Sequence, residues 1–244
     1  MPSESQSQVD LTIVIPAFKE SAKIQHDIRA AHQFLTEQFS GTGEIVVVDD
    51  GSPDDTAARA RMLEQEIPEL RVIRYEQNRG KGYALRTGVK ASRGQYVMFA
   101  DAGLCVPYTN ALAGLELCRD GVDLAHGSRR TRQSEIKVAQ PAYRRIGSKV
   151  FWLFVKSFLG IPRQVKDTQC GFKVYKGEAA RQLYGESITD GFMLDIELIR
   201  RAAKKGYRIA EFPVQWSNDS DTRYRPIKGT IRNLKELIRI RLNS

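Results

Sequence analysis

The chain has 244 residues, 41% hydrophobic and 27% charged, which suits one α/β domain with an appendage or two small domains and excludes a disordered chain. Its formal net charge of +9 points to anionic partners: nucleic acid, a phosphorylated substrate or anionic lipid. The longest run free of polar residues, 150–155, falls far short of the roughly 20 apolar residues of a membrane-spanning helix. Residues 1–9 lack the basic-then-apolar order of a secretory signal and are expected to hang free. Cys105, Cys118 and Cys170 show no C-x-x-C spacing, which suits free thiols in a reducing compartment.

Along the chain, residues 11–15 form an apolar, β-rich run that ends at Pro16, and 20–39 follow with helical spacing. A second strand, 44–48, runs into Asp49-Asp50-Gly51-Ser52. A helix is expected over 54–66 with Ser52 as its N-cap and Pro53 in first position. Residues 71–75 read as a third strand, 82–92 as a helix and 95–100 as a fourth strand ending at Asp101. Apolar strands alternating with helices predict βαβ units and a mostly parallel sheet buried on both faces. A short strand is expected over 123–125 and a heavily apolar helix over 143–159. Strands are expected over 168–175 and 209–216 with a helix over 193–205 between them, and a closing helix over 227–242.

Ligands of such sheets bind at the carboxyl ends of the strands. The polar clusters 16–20, 49–52, 78–82 and 101–103 all fall there. No G-x-G-x-x-G follows the first strand, which disfavours a dinucleotide, and no P-loop is present. Asp49 and Asp50 either accept from a nucleobase or ribose, or cap a turn. Arg79 and Lys81, on a glycine-bracketed loop opening a helix, either attract phosphate or sit on an ordinary surface turn. Arg129 and Arg130 follow a strand. Arg145, Lys149 and Lys156 share a face of the helix that carries Phe151, Trp152, Phe154 and Phe158. Ile227, Ile231, Leu234, Ile238 and Leu242 form one stripe of the last helix, beside Lys228, Arg232, Lys235 and Arg239. Both helices have the pattern of a membrane-surface element, and also that of a helix docked on its own domain with a solvated basic side. A nucleic-acid partner is disfavoured, because no recognition module is legible and the cations interleave with apolar stripes.

Together, residues 15–20 (IPAFKE), 48–52 (VDDGS), Asn78-x-Gly80-Lys81-Gly82, 99–102 (FADA), 127–129 (GSR) and 167–173 (DTQCGFK) resemble the family 2 glycosyltransferases over nearly the whole chain. The last run and 138–140 (VAQ) point to the polyprenyl-phosphate hexosyltransferase branch, and the pattern is most similar to dolichyl-phosphate β-glucosyltransferases. The resemblance implies a GT-A fold over 10–226, a basic amphipathic helix over 227–244, a nucleotide-diphosphate sugar donor and inversion at the anomeric carbon. It implies that Pro16, Phe18, Glu20 and Asp49, with Asp50 beside them, hold base and ribose. Phe18 stands where tyrosine is usual. Lys81 would sit near the donor, and Arg223 or Arg225 would touch its diphosphate. Arg129 with Arg144 or Arg145 would grip the acceptor phosphate, and Asp167 would lie at the reacting centre, with Asp195 and Glu197 as lesser candidates. Asp101 would be the first carboxylate of the D-x-D motif that holds Mg²⁺ or Mn²⁺.

Gly103 stands where the second aspartate of that motif belongs. Weak metal binding, a relocated ligand such as Asp123, metal independence and weak catalysis all stay open. The expected activity is transfer of a hexose, with UDP-glucose favoured over GDP-mannose, to a polyprenyl or dolichyl phosphate by a cytoplasmic protein peripheral to an anionic membrane surface. Rival readings are a non-lipid acceptor and a non-catalytic nucleotide-sugar-binding subunit.

Overall fold

The computed structural model describes residues 9–138, 142–217 and 226–243, with the side chains of 138, 142–150 and 226–232 outside the description. Strands β1 (Val9–Ala17), β2 (Gly43–Asp49), β3 (Leu70–Arg74) and β4 (Gly94–Ala100) alternate with helices α1 (Ile24–Gln33), α2 (Thr56–Met62) and α3 (Lys81–Ala91). Then come α4 (Ala111–Arg119), β5 (Leu124–Ser128), β6 (Glu135–Val138), α5 (Ala142–Leu159), β7 (Phe172–Lys176), α6 (Gly177–Glu186) and α7 (Leu194–Lys204). β8 (Ile209–Pro213), β9 (Gln215–Ser217) and α8 (Pro226–Asn243) complete the order.

Seven strands form one sheet in the order β3-β2-β1-β4-β7-β5-β8. β7 is antiparallel to both its neighbours and every other pairing in this sheet is parallel. The expected mostly parallel α/β sheet is therefore present. Both faces are covered, because successive side chains of a strand point to opposite sides. Leu11, Ile13, Ile15, Ile45 and Val47 bury against Ile24, Ile28, Phe34 and Leu115 of the α1/α4 side. Val14, Val97, Phe99 and Tyr175 bury against Leu85, Leu183 and Leu198 of α3, α6 and α7. Each fully buried aliphatic side chain contributes about 1.5–3 kcal/mol.

Several boundaries differ from expectation, each for a local reason. Val9, expected in a free tail, opens β1. Ser52 is not the cap of α2: its hydroxyl accepts from the Lys19 N–H at 2.9 Å, and the helix begins only at Thr56. Residues 168–171 are a turn, not strand, and β7 starts at Phe172. The long first helix ends in a π-helical turn over Phe34–Gln38.

The chain runs β1, β2, β3 outward in one direction and then places β4 on the other side of β1. Such a reversal opens a crevice at the carboxyl ends of the two central strands. Here β1 pairs with β2 as far as Ala17↔Asp49, but with β4 only as far as Val14↔Phe99. Pro16, which has no N–H to donate, lies beyond the β4 ladder.

Candidate active site

The loops after β1 and β4 face this crevice, and both contain strained backbone. Lys19 (φ +60°) and Leu104 (φ +47°) are the non-glycine residues with positive φ among the described residues. Such conformations persist where the surroundings enforce them, and they gather at ligand sites. The first loop is tied down by the second strand's loop. Asp50 N–H donates to Ala17 O, Lys19 N–H to Ser52 and Glu20 N–H to Thr56. Pro16 and Phe18 are half-buried along this rim.

Asp49 and Asp50 divide two tasks. Asp50 is almost fully buried and accepts from Tyr75 Oη and Arg79 N–H on Oδ1, and from Asn78 Nδ2 and Gly80 N–H on Oδ2. Four donors saturate a carboxylate. Asp50 therefore holds the 78–80 loop and, unlike the donor ligand expected of it, has no lone pair left for one. Asp49 is completely buried, and its Oδ2 accepts from Ser52 N–H and lies 3.5 Å from Arg74 Nε. Its Oδ1 has no hydrogen-bond partner among the described residues. A buried carboxylate oxygen without a donor is costly unless a ligand supplies one.

Backbone donors of the Asn78–Gly82 loop are largely used inside the protein. Arg79 and Gly80 N–H go to Asp50, and Gly82 and Tyr83 N–H go to the Asp190 carbonyl. A Cβ on Gly82 would lie 2.8 Å from the backbone at 189–190, so glycine permits this approach. Of the loop's two cations, Arg79 lies over the Tyr83 ring and Lys81 Nζ lies 2.5 Å from Asp101 Oδ1.

A divalent ion asks for several oxygen ligands, and the residues around Asp101 do not fit one. Gly103 has φ +98°, and its N–H is held by the buried Asp27 carboxylate at 2.9 Å. Asp101 Oδ2 rests where a Cβ of Gly171 would stand. Asp123 is no replacement: it precedes β5 at the opposite end of the sheet, bound to Lys176 and the Arg208 N–H. No group of three His, Cys, Asp or Glu suited to a metal occurs among the described residues.

On the other flank of β4 the structure brings Arg129 and Asp167 together. Arg129 Nε and Nη2 donate to Asp167 Oδ2 and Oδ1 at 2.7 and 2.8 Å, and its backbone N–H adds a third bond. Burial pushes the Asp167 carboxyl up, but the hydrogen bonds and charge of Arg129 outweigh this and hold it at about 2. Two of the five guanidinium N–H groups are used in this pair, and Arg129 also lies over the Trp216 ring. Its neighbour Arg130 lies over Trp152 of α5.

Helices α5 and α8 continue from this flank. Val155, Leu159, Leu237 and Ile240 pack them together with α7. Of the predicted stripe of α8, the members with described side chains turn outward: Leu234 is 47% exposed, Ile238 46% and Leu242 78%, beside exposed Lys235 and Arg239, while the side chains of Ile227 and Ile231 lie outside the described residues. Leu153 and Phe154 of α5 are likewise exposed. None of the described helices is long and apolar enough to cross a membrane. Arg144 and Arg145 lie on α5 with side chains outside the described residues, and Arg223 and Arg225 lie outside them altogether.

The family description "Glycosyl transferase family 2" matches residues 12–183, which span β1 to α6 and thus all these loops. The chain belongs to glycosyl transferase family 2. Among curated relatives, dolichyl-phosphate beta-glucosyltransferase of Saccharomyces cerevisiae is 28% identical, over 98% of this chain and 76% of its own length. The Mus musculus protein of the same name is 31% identical, over 95% and 75%. Among solved structures, glucosyl-3-phosphoglycerate synthase from Mycobacterium tuberculosis with Mn²⁺, uridine diphosphate and phosphoglyceric acid superposes with a TM-score of 0.67 at 22% identity, covering 95% of this chain and 77% of that one. A mannosyltransferase from Pyrobaculum calidifontis with GDP-Man and Mn²⁺ gives 0.66 at 20%, covering 96% and 64%. This family 2 glycosyltransferase has the GT-A fold and is a hexosyltransferase.

Around the candidate site, Glu211 carries no signal in the sequence, and the packing roles of Lys173, Asp195 and Glu197 are not legible there. Glu211 of β8 accepts from the Lys166 and Asp167 N–H groups at 2.7 Å and so sets the Asp167 backbone. Lys173 is completely buried, and its Nζ ties Asp195 of α7 to the Cys170 carbonyl. Asp195 is thus engaged inside the protein. Glu197 accepts from the Ile188 and Thr189 N–H groups and from Arg201, and shapes the loop that carries Asp190.

Proposed function

We propose that this enzyme transfers glucose from UDP-glucose, with inversion, to a polyprenyl phosphate of the dolichyl type at an anionic membrane surface. One observation carries the reading. The Arg129–Asp167 pair, shaped to grip an anion, adjoins through Arg130 and Trp152 a helix layer with exposed apolar and cationic side chains. An acceptor with an anionic head and an apolar tail matches both parts. The similarity to the dolichyl-phosphate beta-glucosyltransferases supports the same acceptor and sugar.

Asp49, whose buried Oδ1 has no partner among the described residues, accepts from the base or ribose, and Phe18, Pro16 and Glu20 line the same rim. A phosphate monoester has a second pKa of about 6, so the acceptor is already largely dianionic at pH 7. One of its oxygens forms the bond to the anomeric carbon while the bond from that carbon to the diphosphate oxygen breaks, and the nucleoside diphosphate leaves with the electron pair. No proton has to move. With its carboxyl near pKa 2 and its oxygens bound to Arg129, Asp167 is a poor base and serves to orient the guanidinium. The work is positioning and charge neutralisation in a partly dry crevice.

The outward faces of α5 and α8 dock on the bilayer, with Arg144 or Arg145 reaching the acceptor phosphate. Replacing Leu234, Ile238 and Leu242 together by serine is expected to reduce partition onto phosphatidylserine-containing vesicles by about 100-fold or more, since each large apolar side chain contributes about 1.5–3 kcal/mol when buried. The thermal melt should stay put, because these side chains lie outside the core. Unchanged flotation of the triple variant would remove α8 from the docking surface.

The decisive assay is transfer of labelled sugar to a short polyprenyl phosphate in detergent, from UDP-glucose and GDP-mannose in parallel. Label in the lipid fraction from UDP-glucose alone is expected. The fold neighbour with phosphoglyceric acid bound favours a second reading, a small soluble phosphate acceptor. Transfer to 3-phosphoglycerate and not to the lipid would establish that reading instead.

A further inference from the structure

We propose that Lys81 is the built-in cation of the donor site, held by Asp101 against the departing diphosphate, so that nucleotide binding and sugar transfer need no divalent metal. The inference rests on the donor reading above and adds which group carries the positive charge.

Three observations converge on Lys81. First, the metal position is altered in its backbone as well as in its side chains. Gly103 adopts φ +98°, which L side chains rarely adopt, and Asp27 pins its N–H. A carboxylate there would need a different loop. Second, one oxygen of Asp101 is already paired with a cation of the protein. Its backbone N–H donates to Gly171 O, its Oδ2 presses on Gly171, and its Oδ1 meets the Lys81 ammonium at 2.5 Å. Third, four backbone donors around Lys81 are used inside the protein: Arg79 and Gly80 N–H by Asp50, and Gly82 and Tyr83 N–H by the Asp190 carbonyl. Of the loop's two cations, Arg79 lies over the Tyr83 ring, and Lys81 is the one paired with Asp101.

The charge is durable. Burial pushes the Lys81 ammonium toward neutrality, but Asp101 and then Asp195 more than offset this and hold it above its ordinary value. Asp195 is itself fixed by Lys173, so the two carboxylates and two lysines form a chain across β4, β7 and α7. Lys81 is the first residue of α3, and that helix's start is clamped by Gly82 and Tyr83 N–H bonds to Asp190 O. The ammonium therefore sits on a rigid mount, as electrostatic stabilisation of a leaving group requires. Asp101 acts through Lys81 and is a positioning residue.

The test uses the full chain and calorimetric titration with UDP and with GDP, each in EDTA and in Mn²⁺. The expected result is a UDP Kd within about twofold in the two conditions, and about 10–100-fold weaker binding in EDTA by Lys81→Met, the range of one charge-assisted contact. Lys81→Arg, which keeps the charge, should retain most of the affinity. UDP binding that tightens tenfold or more in Mn²⁺ would overturn the inference, and this comparison needs no variant. So would a folded Lys81→Met protein that binds UDP as tightly as the parent. Binding of neither nucleotide in either condition would overturn the donor reading itself, a result distinct from metal-dependent binding.

Discussion

Asp167→Asn is expected to fold and to lose about two to three orders of magnitude in turnover, the scale of losing one preorganised charge-stabilising contact. The carboxylate receives two guanidinium bonds and the Arg129 backbone N–H, and it is buried. Asparagine keeps the volume but turns an NH₂ toward a donor, so one edge of Arg129 is released. A displacement of about 1 Å at such a group is enough to cost about 100-fold. The loss should fall on turnover with lipid acceptor, while UDP affinity stays within about twofold. Stability should drop by about 2 kcal/mol, or roughly 4–8 °C in Tm, because Arg129 keeps partial solvent access. The pH dependence checks the ion pair separately. The folded carboxyl lies at about 2 against an ordinary 3.8. A lowered pKa means that the contribution is present above about pH 4 and is lost as pH falls through the folded value. Its size is about 2.5 kcal/mol. The parent's Tm should fall more steeply than the variant's between pH 4 and 2. Near-parent turnover of Asp167→Asn would end the assigned role.

Asp50→Ala should be the most destabilising single change at the site, by about 3–5 kcal/mol, and should abolish UDP binding at micromolar concentration. It strands four donors, two of them backbone N–H groups, where each unsatisfied buried group costs about 1–3 kcal/mol before water enters. Asp50→Asn should lose nearly as much, because its NH₂ must face a pair of donors. The neighbouring Asp49→Asn makes the contrast. Its Oδ1 has no internal partner among the described residues, so Tm should change little while nucleotide affinity falls. Scanning calorimetry and UDP titration of the three variants decide this. Equal Tm for Asp50→Ala and parent would show that the 78–80 loop does not depend on that carboxylate.

Strand–helix alternation, the burial of both sheet faces and the clustering of polar motifs at strand ends were all legible in the residue pattern, because a parallel strand needs a continuous apolar run and a helix a 3.6-residue repeat. The motif order was legible as well, and it carried the family. The division of labour inside those motifs was not. Asp49 and Asp50 are adjacent in sequence and look alike, yet one is saturated by Tyr75 and a loop 28–30 residues further on, and the other keeps a buried oxygen without a partner among the described residues. The outward turn of Leu234, Ile238 and Leu242 was equally hidden, since a helical stripe has the same period whether it faces a core or a bilayer.

By itself, then, the sequence determined the α/β class, the strand ends where the polar motifs gather and the pairing of motifs with loops, all of which local spacing sets, and the resemblance added the missing second aspartate at Gly103. Only the tertiary structure decided that Asp101 answers to Lys81, that Asp167 serves Arg129, that Glu211 and Lys173 support them, and that Asp123 lies at the far end. These are contacts between segments 20 to 80 residues apart. Their partners depend on strand order and on the reversed β7, which no local pattern encodes.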